Sequence, residues 1–319
     1  MSQSIHKVEE GAGADIQATV AILIKTYLRE GAVNSLVQTI EKYCDVPYKL
    51  YIADEFPLSK AKKSLYKELE QQGHKVVIFD ESKPVSVCLA RNRLVGFVDK
   101  EEYILRLDDD FHFHPGTSIA NMLNILEHCP EIGALSDIEI QGVDGKGIKA
   151  GEVSSQQGFF FYNDINKVLY KQPVPLSLWI WQKVGMLRYA HADFTRNFLL
   201  IRKAVFEDVS WNESLQIHGE HTEFMLRLKQ TGWQLAFTPD SSHIHNEPEK
   251  KLVDKNYAAN RNSQMSEQAM HSVYEKEWSI KDIRTIVATK QLVQELELGY
   301  FKRFLVFLLK KTLNFLFKN

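Results

Sequence analysis

The residues Tyr103-Ile104-Leu105-Arg106-Leu107-Asp108-Asp109-Asp110-Phe111 run from an apolar, strand-like segment into three consecutive carboxylates. Side chains alternate faces along a strand, so Asp108 and Asp110 are expected on one side and Asp109 on the other. Two same-side carboxylates at a strand end suit a hard divalent cation, Mn2+ or Mg2+, which takes oxygen ligands and leaves room for phosphate oxygens. That chemistry points to the handling of a nucleotide diphosphate. The plain alternative is an acidic turn after an edge strand.

Four other groups bear on the same chemistry. Asp54 ends the run Tyr51-Ile52-Ala53-Asp54, where a carboxylate can accept a hydrogen bond from a nucleobase N–H. Arg91, in Ala90-Arg91-Asn92, offers a planar fork to phosphate, or else is a solvated helical arginine. His218-Gly219-Glu220-His221-Thr222-Glu223-Phe224 opens a helix, and Glu220 and Glu223, three residues apart, are expected to share a face of its first turn. Such carboxylates either stabilise the helix start through its dipole or supply a general base. His243 and His245 alternate with Ile244 and so share a face, where a neutral imidazole can complete a metal site begun by the aspartates. Trp179, Trp181 and Tyr189 offer flat apolar surfaces to sugar rings, although core packing is the commoner role of such residues. Asp193 is a candidate for donor sugar hydroxyls.

These groups need a scaffold that brings them to one edge. Thr19 to Thr26 reads as a short, buried, β-branched strand, Asn34 to Tyr43 as a helix, Tyr48 to Ala53 as a strand and Ser59 to Gln72 as an exposed helix stopped by Gly73. Lys75 to Phe79, Val85 to Val98 and Glu102 to Leu107 continue the alternation as strand, helix and strand. Strands alternating with helices give an α/β fold with a mostly parallel sheet, whose ligands sit at the carboxyl ends of the strands. Thr117 to His128 is an expected helix, Ile132 to Ile140 a strand and 141–151 a loop or hairpin. Residues 153–190 read as an irregular aromatic insertion. Phe194 to Ile201 is expected as a strand, Glu220 to Gln230 as a helix and Trp233 to Thr238 as a strand. Charged helices are expected from Asn246 to about residue 297.

The chain has 319 residues, with 44% apolar and 25% charged side chains. A chain of that size and balance builds an ample globular core. Its net charge of −2 gives no overall drive toward nucleic acid or anionic membrane. Cys44, Cys88 and Cys129 are widely spaced in apolar segments, as expected of buried thiols in a reducing compartment. Met1 to Gln17 is a polar leader without the apolar core of a signal peptide. In contrast, residues 298–319 carry Lys302, Arg303, Lys310, Lys311 and Lys318 and no acidic residue. On a helical wheel Phe301, Phe304, Leu305, Leu308, Leu309, Phe315 and Leu316 form one broad face opposite the basic residues. This is the pattern of an interfacial helix on anionic lipid, against the alternative of a terminal helix docked on the protein. The expected organisation is a leader over 1–17, a catalytic domain over 18–250, a helical extension over 251–297 and a membrane-surface helix over 298–319.

Taken in order, Asp54, Ala90-Arg91-Asn92, Asp108–Asp110, Gly219-Glu220-His221 and Pro239 to His245 resemble the plan of the GT-A glycosyltransferases, in particular the family-2-like inverting group. Lys25-Thr26-Tyr27-Leu28-Arg29, Asn197-Phe198-Leu199-Leu200 and His221-Thr222-Glu223-Phe224 are similar to the catalytic domain of the ganglioside β-1,4-N-acetylgalactosaminyltransferases. The resemblance covers residues 18–246. It implies a Rossmann-like GT-A fold and an inverting transfer from a UDP-sugar, with N-acetylhexosamine the leading donor. The implied acceptor is a glycan or glycolipid, as in capsule, lipopolysaccharide or other surface polysaccharide synthesis, and the implied location is the cytoplasmic face of a membrane. It further implies that Asp54 contacts uracil, that Thr26 lies against the uridine, and that Arg29, Arg91 and Asp109 belong to the nucleotide-sugar site. Asp108 approaches ribose or metal, and Asp110 and His245 bind the metal. Where many members have Gly-Glu-Asp with the Asp as base, this chain has His221, so the base candidates are Glu223, Glu220 and His221, in that order. Two rivals remain open. One is a sugar nucleotidyltransferase, although Tyr27-Leu28-Arg29-Glu30-Gly31 lacks its Gly-rich phosphate loop. The other is a catalytically degenerate subunit that binds glycan.

Overall fold

The computed structural model describes residues 20–79, 85–142, 150–154, 156–246 and 264–286. The sequence expectations for 1–17 and 298–319 lie outside them. Strands Val20–Lys25 (β1), Tyr48–Glu55 (β2), Lys75–Phe79 (β3) and Tyr103–Asp108 (β4) alternate with helices Glu30–Tyr43 (α1), Lys60–Gln71 (α2) and Val87–Val95 (α3). The four strands pair in parallel, in the order β4-β1-β2-β3. Period-two alternation sorts their side chains between two layers. Val20, Ile22 and Ile24, Leu50 and Ile52, and Leu105 and Leu107 pack with Val33, Leu36, Val37 and Ile40 of α1. Ala21 and Leu23, Tyr51 and Ala53, and Ile104 pack on the other side with Ala90 and Leu94 of α3. Each of the larger buried side chains contributes about 1.5–3 kcal/mol over exposure. Serine side chains start two of these three helices. Ser59 accepts from Lys62 N–H at 3.1 Å and Ser86 from Leu89 N–H at 3.0 Å, each cap worth about 1 kcal/mol.

The sheet continues past β4. Phe111–His112 (β5) is followed by helix Ile119–His128 (α4), then Ile132–Gln141 (β6) and Val153–Ser154 (β7). Gly158–Asn163 (β8), Val168–Pro173 (β9), Gln182–Val184 (β10), Leu187–His191 (β11) and Leu199–Arg202 (β12) follow, then helices Val205–Asp208 (α5) and Glu220–Gln230 (α6), strand Gln234–His245 (β13), helix Gln264–Trp278 (α7) and strand Asp282–Thr285 (β14). The main sheet runs β10-β11-β13-β6-β12-β4-β1-β2-β3, and β12 is antiparallel to both its neighbours. A second, three-stranded sheet joins β8, β9 and β14.

Several expectations change. The segment 153–190 is not wholly irregular but supplies β7 to β10 and most of β11; Trp179 and Trp181, between β9 and β10, pack on Phe237, and Phe160 of β8 packs beside Leu226 of α6. The strand expected from Phe194 begins only at Leu199; Phe194 is instead held by a bridge to Gly158. The strand expected to end at Thr238 continues to His245 across a register shift between Phe237 and Ser242. The expected helical run after Asn246 is interrupted by β14, which pairs in parallel with β9.

Gly158 is the joint between the two sheets. Its N–H donates to Phe194 O at 3.1 Å and its carbonyl accepts from Asp193 N–H at 2.8 Å. A Cβ there would lie 1.9 Å from the carbonyl oxygen of Gln172. Gly158→Ala should therefore lower the unfolding free energy by about 2–3 kcal/mol or more. Gly31→Ala, in the first turn of α1 with nothing within 4 Å of the new Cβ, should leave it unchanged or raise it by about 0.5–1 kcal/mol. Urea melts of the two variants check the contrast, and equal melts would contradict the packing described.

Candidate active site

Strands β1 and β4 end level, with Lys25 opposite Asp108, and β2 runs two residues past Ala53, the partner of Lys25, to Glu55. β4 stops at Asp108, and that decides where the three aspartates point. Asp108 keeps the α3 side of the sheet. Asp109 keeps the opposite side, where its Oδ2 accepts from Thr26 Oγ1–H at 2.7 Å and its Oδ1 pairs with Arg29 at 2.8 Å. Asp110 lies beyond the strand, in the turn before β5, so alternation no longer governs it. Its Oδ2 pairs with the other Arg29 nitrogen at 2.8 Å. The expectation that Asp108 and Asp110 share a side is thus corrected, since Asp110 joins Asp109 under Arg29. Burial, with the Asp110 charge beside it, pushes the Asp109 carboxyl up to about 6 against the pull of Arg29. Burial would also raise Asp110, but His245 and Arg29 outweigh it and hold that carboxyl below its ordinary value.

Strand β5 is short, yet it places His245. Phe111 registers with His245 and His112 with Ile244, and Asn246 N–H donates to Asp110 O at 2.9 Å. His245 Nε2 then lies 3.6 Å from Asp110 Oδ2, and Nδ1 lies 3.3 Å from Glu139 Oε2. Burial alone would lower this histidine, but the two flanking carboxylates raise it to about 9.

On the α3 side, charges are compensated in a closed web. Asp108 Oδ1 accepts from Arg91 and from Arg106, both at 3.0 Å, and Oδ2 accepts from Asn197 Nδ2 at 2.8 Å. Arg91 also reaches Glu220 Oε1 at 3.0 Å. Burial and the neighbouring Arg91 charge bring the Arg106 guanidinium down to about 10. For Asp108, the two arginines overcome burial and hold the carboxyl far below its usual range. For Glu220, burial is outweighed first by His221 and then by the two arginines, which bring the carboxyl down to about 2.

Gly219 sets this arrangement. It opens α6 at φ +81°, the left-handed region that favours glycine, and a Cβ there would meet Met270 Cγ at 2.7 Å. From that start Glu220 turns inward to the arginines, and His221 keeps 40% of its side chain exposed. His221 Nδ1 lies 2.7 Å from Glu220 Oε1, and its Nε2 lies 2.6 Å from Asn197 Nδ2. Because Asn197 donates with Nδ2, Nε2 accepts and Nδ1 carries the proton toward Glu220. Desolvation lowers the pKa of the ring against the pull of Glu220. Glu223, three residues on, has other partners. It is fully buried on Arg227, and Trp278 Nε1 of α7 donates to it at 3.3 Å. Glu220 and Glu223 are both buried in the first turn of α6, but different partners claim them, the arginines and His221 for Glu220 and Arg227 and Trp278 for Glu223.

The predicted residues thus divide. Thr26, Arg29, Arg91, Asp108, Asp109, Asp110, Glu220, His221 and His245 come together at the strand ends. Asp54 lies at the same edge but is enclosed, with oxygens taken by Tyr66 Oη at 2.5 Å, Lys62 Nζ at 2.7 Å and Glu55 N–H at 2.8 Å. Asp193 lies apart. It pairs with Lys229 at the far end of α6, where the two line a cavity of about 270 Å³ with His191 and Trp233. Trp179 and Trp181 stand edge-on to Phe237 at 4.8 and 5.2 Å and pack as core. Arg106, Asn197 and Glu139 were missed. The available signal for Arg106 and Glu139 was a charge within an apolar strand, Leu105-Arg106-Leu107 and Ile138-Glu139-Ile140, because such a charge must find a buried partner.

Asp110 and His245 are the converging pair that fits a divalent cation. Asp108 faces the arginines instead, and among the described residues no three His, Cys, Asp or Glu side chains converge in a metal-binding group. Two protein donors suit Mn2+ or Mg2+ where diphosphate oxygens and water complete the shell.

No protein family matches the sequence, and neither does any curated protein. Solved structures do resemble the fold. GalNAc-T7 with UDP, GalNAc and Mn2+ matches at a TM-score of 0.55 and 16% identity over 81% of this chain. This chain spans 51% of that structure's length. S. aureus TarS 1–349 matches at a TM-score of 0.51 and 14% identity, over 82% of this chain and 73% of its own. TarS 1–349 in complex with UDP-GlcNAc matches at 0.52 and 13% identity with the same coverage. The fold is that of the GT-A glycosyltransferases: α/β, with a large, mostly parallel central sheet.

The elevated His245 has a consequence for stability. A histidine raised in the folded state stabilises fully below its unfolded pKa near 6.5, and that contribution is lost as pH rises through about 9. In chelator, stability should fall across this window by an amount on the order of 2–3 kcal/mol. His245→Asn should flatten the slope. Urea midpoints at pH 6.5, 7.5 and 9 would read it, and an unchanged slope in the variant would contradict the assignment.

Proposed function

We propose that this chain is a metal-dependent glycosyltransferase that moves a sugar from a UDP-sugar to a hydroxyl of a glycan or glycolipid, inverting the anomeric carbon. The observation that carries the reading is the meeting, at one strand edge, of the Asp110–His245 pair with a half-exposed imidazole backed by a buried carboxylate. Support comes from the GT-A fold, from the UDP, GalNAc and Mn2+ in the GalNAc-T7 structure and from the UDP-GlcNAc in the TarS structure. An N-acetylhexosamine is the leading donor on that basis and on the motifs by which the sequence reading likened the chain to the ganglioside N-acetylgalactosaminyltransferases. Surface polysaccharide or glycolipid synthesis at the cytoplasmic face of a membrane is the setting that the basic, apolar sequence of 298–319 favours.

A divalent cation on Asp110 and His245 would act as a Lewis acid toward the charge that builds on the leaving diphosphate. The chain's own groups do the rest. Arg29 and Arg91 hold the carboxylates in place and would be the cations nearest the donor phosphates. Among the predicted bases, His221 has the placement that Glu223 lacks. Glu220 fixes its Nδ1–H, so Nε2 is the nitrogen that takes the acceptor proton, once Asn197 yields that contact. Glu220 favours the imidazolium that forms, by the same logic as a carboxylate behind a catalytic histidine. One displacement by the deprotonated acceptor oxygen inverts the configuration.

The test is UDP release from a panel of UDP-sugars, with membrane glycolipid as acceptor and Mn2+ or chelator. Release should require metal and acceptor and vanish in Asp110→Asn. His221→Ala should lower kcat by about 10²- to 10⁴-fold, and Glu223→Gln should keep the wild-type pH profile with a lower melting temperature. Activity surviving in His221→Ala but lost in Glu223→Gln would return the base to Glu223. UDP binding with no turnover of any donor would favour a glycan-binding subunit.

A further inference from the structure

Strands β6 and β13 run parallel, with Glu139 opposite His243 and Gln141 opposite His245. Asp137 and Glu139 share a face of β6, and His243 and His245 share a face of β13, so the four interleave. A line of alternating carboxylates and imidazoles results. Asp137 Oδ1 lies 2.6 Å from His243 Nδ1, and His243 Nε2 lies 3.9 Å from Glu139 Oε2. The same Glu139 oxygen lies 3.3 Å from His245 Nδ1, and His245 Nε2 lies 3.6 Å from Asp110 Oδ2. The line starts in the core, with Asp137 and His243 fully buried and Glu139 1% exposed, and it surfaces at His245. Phe198 stacks on His243 at 4.7 Å and Phe111 meets His245 edge-on at 5.2 Å, so aromatic walls fix both rings. Arg196 reaches Glu139 Oε1 at 2.8 Å.

We propose that Glu139 is a positioning residue for the cation: it takes His245 Nδ1, so that Nε2 is the ring nitrogen turned to Asp110 and the metal. The inference rests on the metal-dependent reading above. A charged line between Ile138 and Ile140 is not what the fold alone requires, since a buried ion network replaced whole by apolar side chains of similar size is often neutral or stabilising. Its use is to orient a ligand. A metal-bound histidine commonly gives its second nitrogen to a carboxylate, and loss of that partner weakens metal binding about 10- to 100-fold. Asp137 and His243 support Glu139 from behind and Arg196 from the side.

Mn2+ affinity of the full chain, read by electron paramagnetic resonance at saturating UDP, tests this with Glu139→Gln, His245→Ala and the double variant. Glu139→Gln should weaken Mn2+ by about 10- to 100-fold, and in the His245→Ala background it should cost nothing further, since it acts through that ring. Melting temperatures run alongside. If Glu139→Gln does not fold, Glu139→Asp, which keeps the charge but draws it away from Nδ1, should weaken Mn2+ in the same non-additive way. Wild-type affinity in either variant, or losses that multiply in the double variant, would overturn the role of Glu139 and leave the metal site standing. Wild-type protein that binds UDP but no Mn2+ would overturn the metal reading and this inference with it.

Discussion

Everything at this edge depends on neutralising carboxylates where a buried strand ends. Three guanidinium groups, Arg29, Arg91 and Arg106, hold four acids, Asp108, Asp109, Asp110 and Glu220. Each arginine has only about 3–10% of its side chain exposed. An ion taken out of water carries a penalty of several kcal/mol, and removing one partner of a buried pair costs about 3–5 kcal/mol. The acids can therefore crowd together only because the arginines come from β4, α3 and the β1–α1 loop to meet them. A site that binds a cation and a diphosphate needs such balanced charge, held still before the ligands arrive.

One short segment ties the two halves of the site. Arg196 turns to Glu139, behind His245, while its neighbour Asn197 donates to Asp108 and reaches His221. The stop of β4 at Asp108 sends Asp108 to the arginines and Asp110 to His245, so one triplet of aspartates serves both halves. The register shift in β13 is what lets that strand run on past Phe237 and deliver His243 and His245.

The fold was largely legible because the first four strands are short, mostly apolar runs, as a parallel sheet buried on both faces requires, separated by helices. Within the site, Asp110 and His245 were legible as neighbours because Asp110 follows the end of β4 and His245 ends β13, two strands of the same sheet. Glu223 misled because a first-turn carboxylate carries no mark of which side it will turn to; Trp278, far along the chain, decides that. Asp54 sits where expected, but Lys62 and Tyr66 from the next helix enclose it. Asp193 and the tryptophans fell in a segment whose strands pair with residues distant in sequence, so local pattern gave no direction. Arg91 meets Glu220 across 129 residues, a contact that no local spacing encodes.

On the proposed reading, a cation held by only two protein donors would have its shell completed when diphosphate oxygens join it. Metal and nucleotide should then bind with positive coupling, and the coupling must be reciprocal. Isothermal titration of UDP into the protein with and without Mn2+ measures it directly. The account predicts that Mn2+ tightens UDP binding by about 5- to 150-fold, and that His245→Ala loses the gain. UDP binding of equal strength with and without Mn2+ would contradict the central claim that Asp110 and His245 hold a cation shared with the donor.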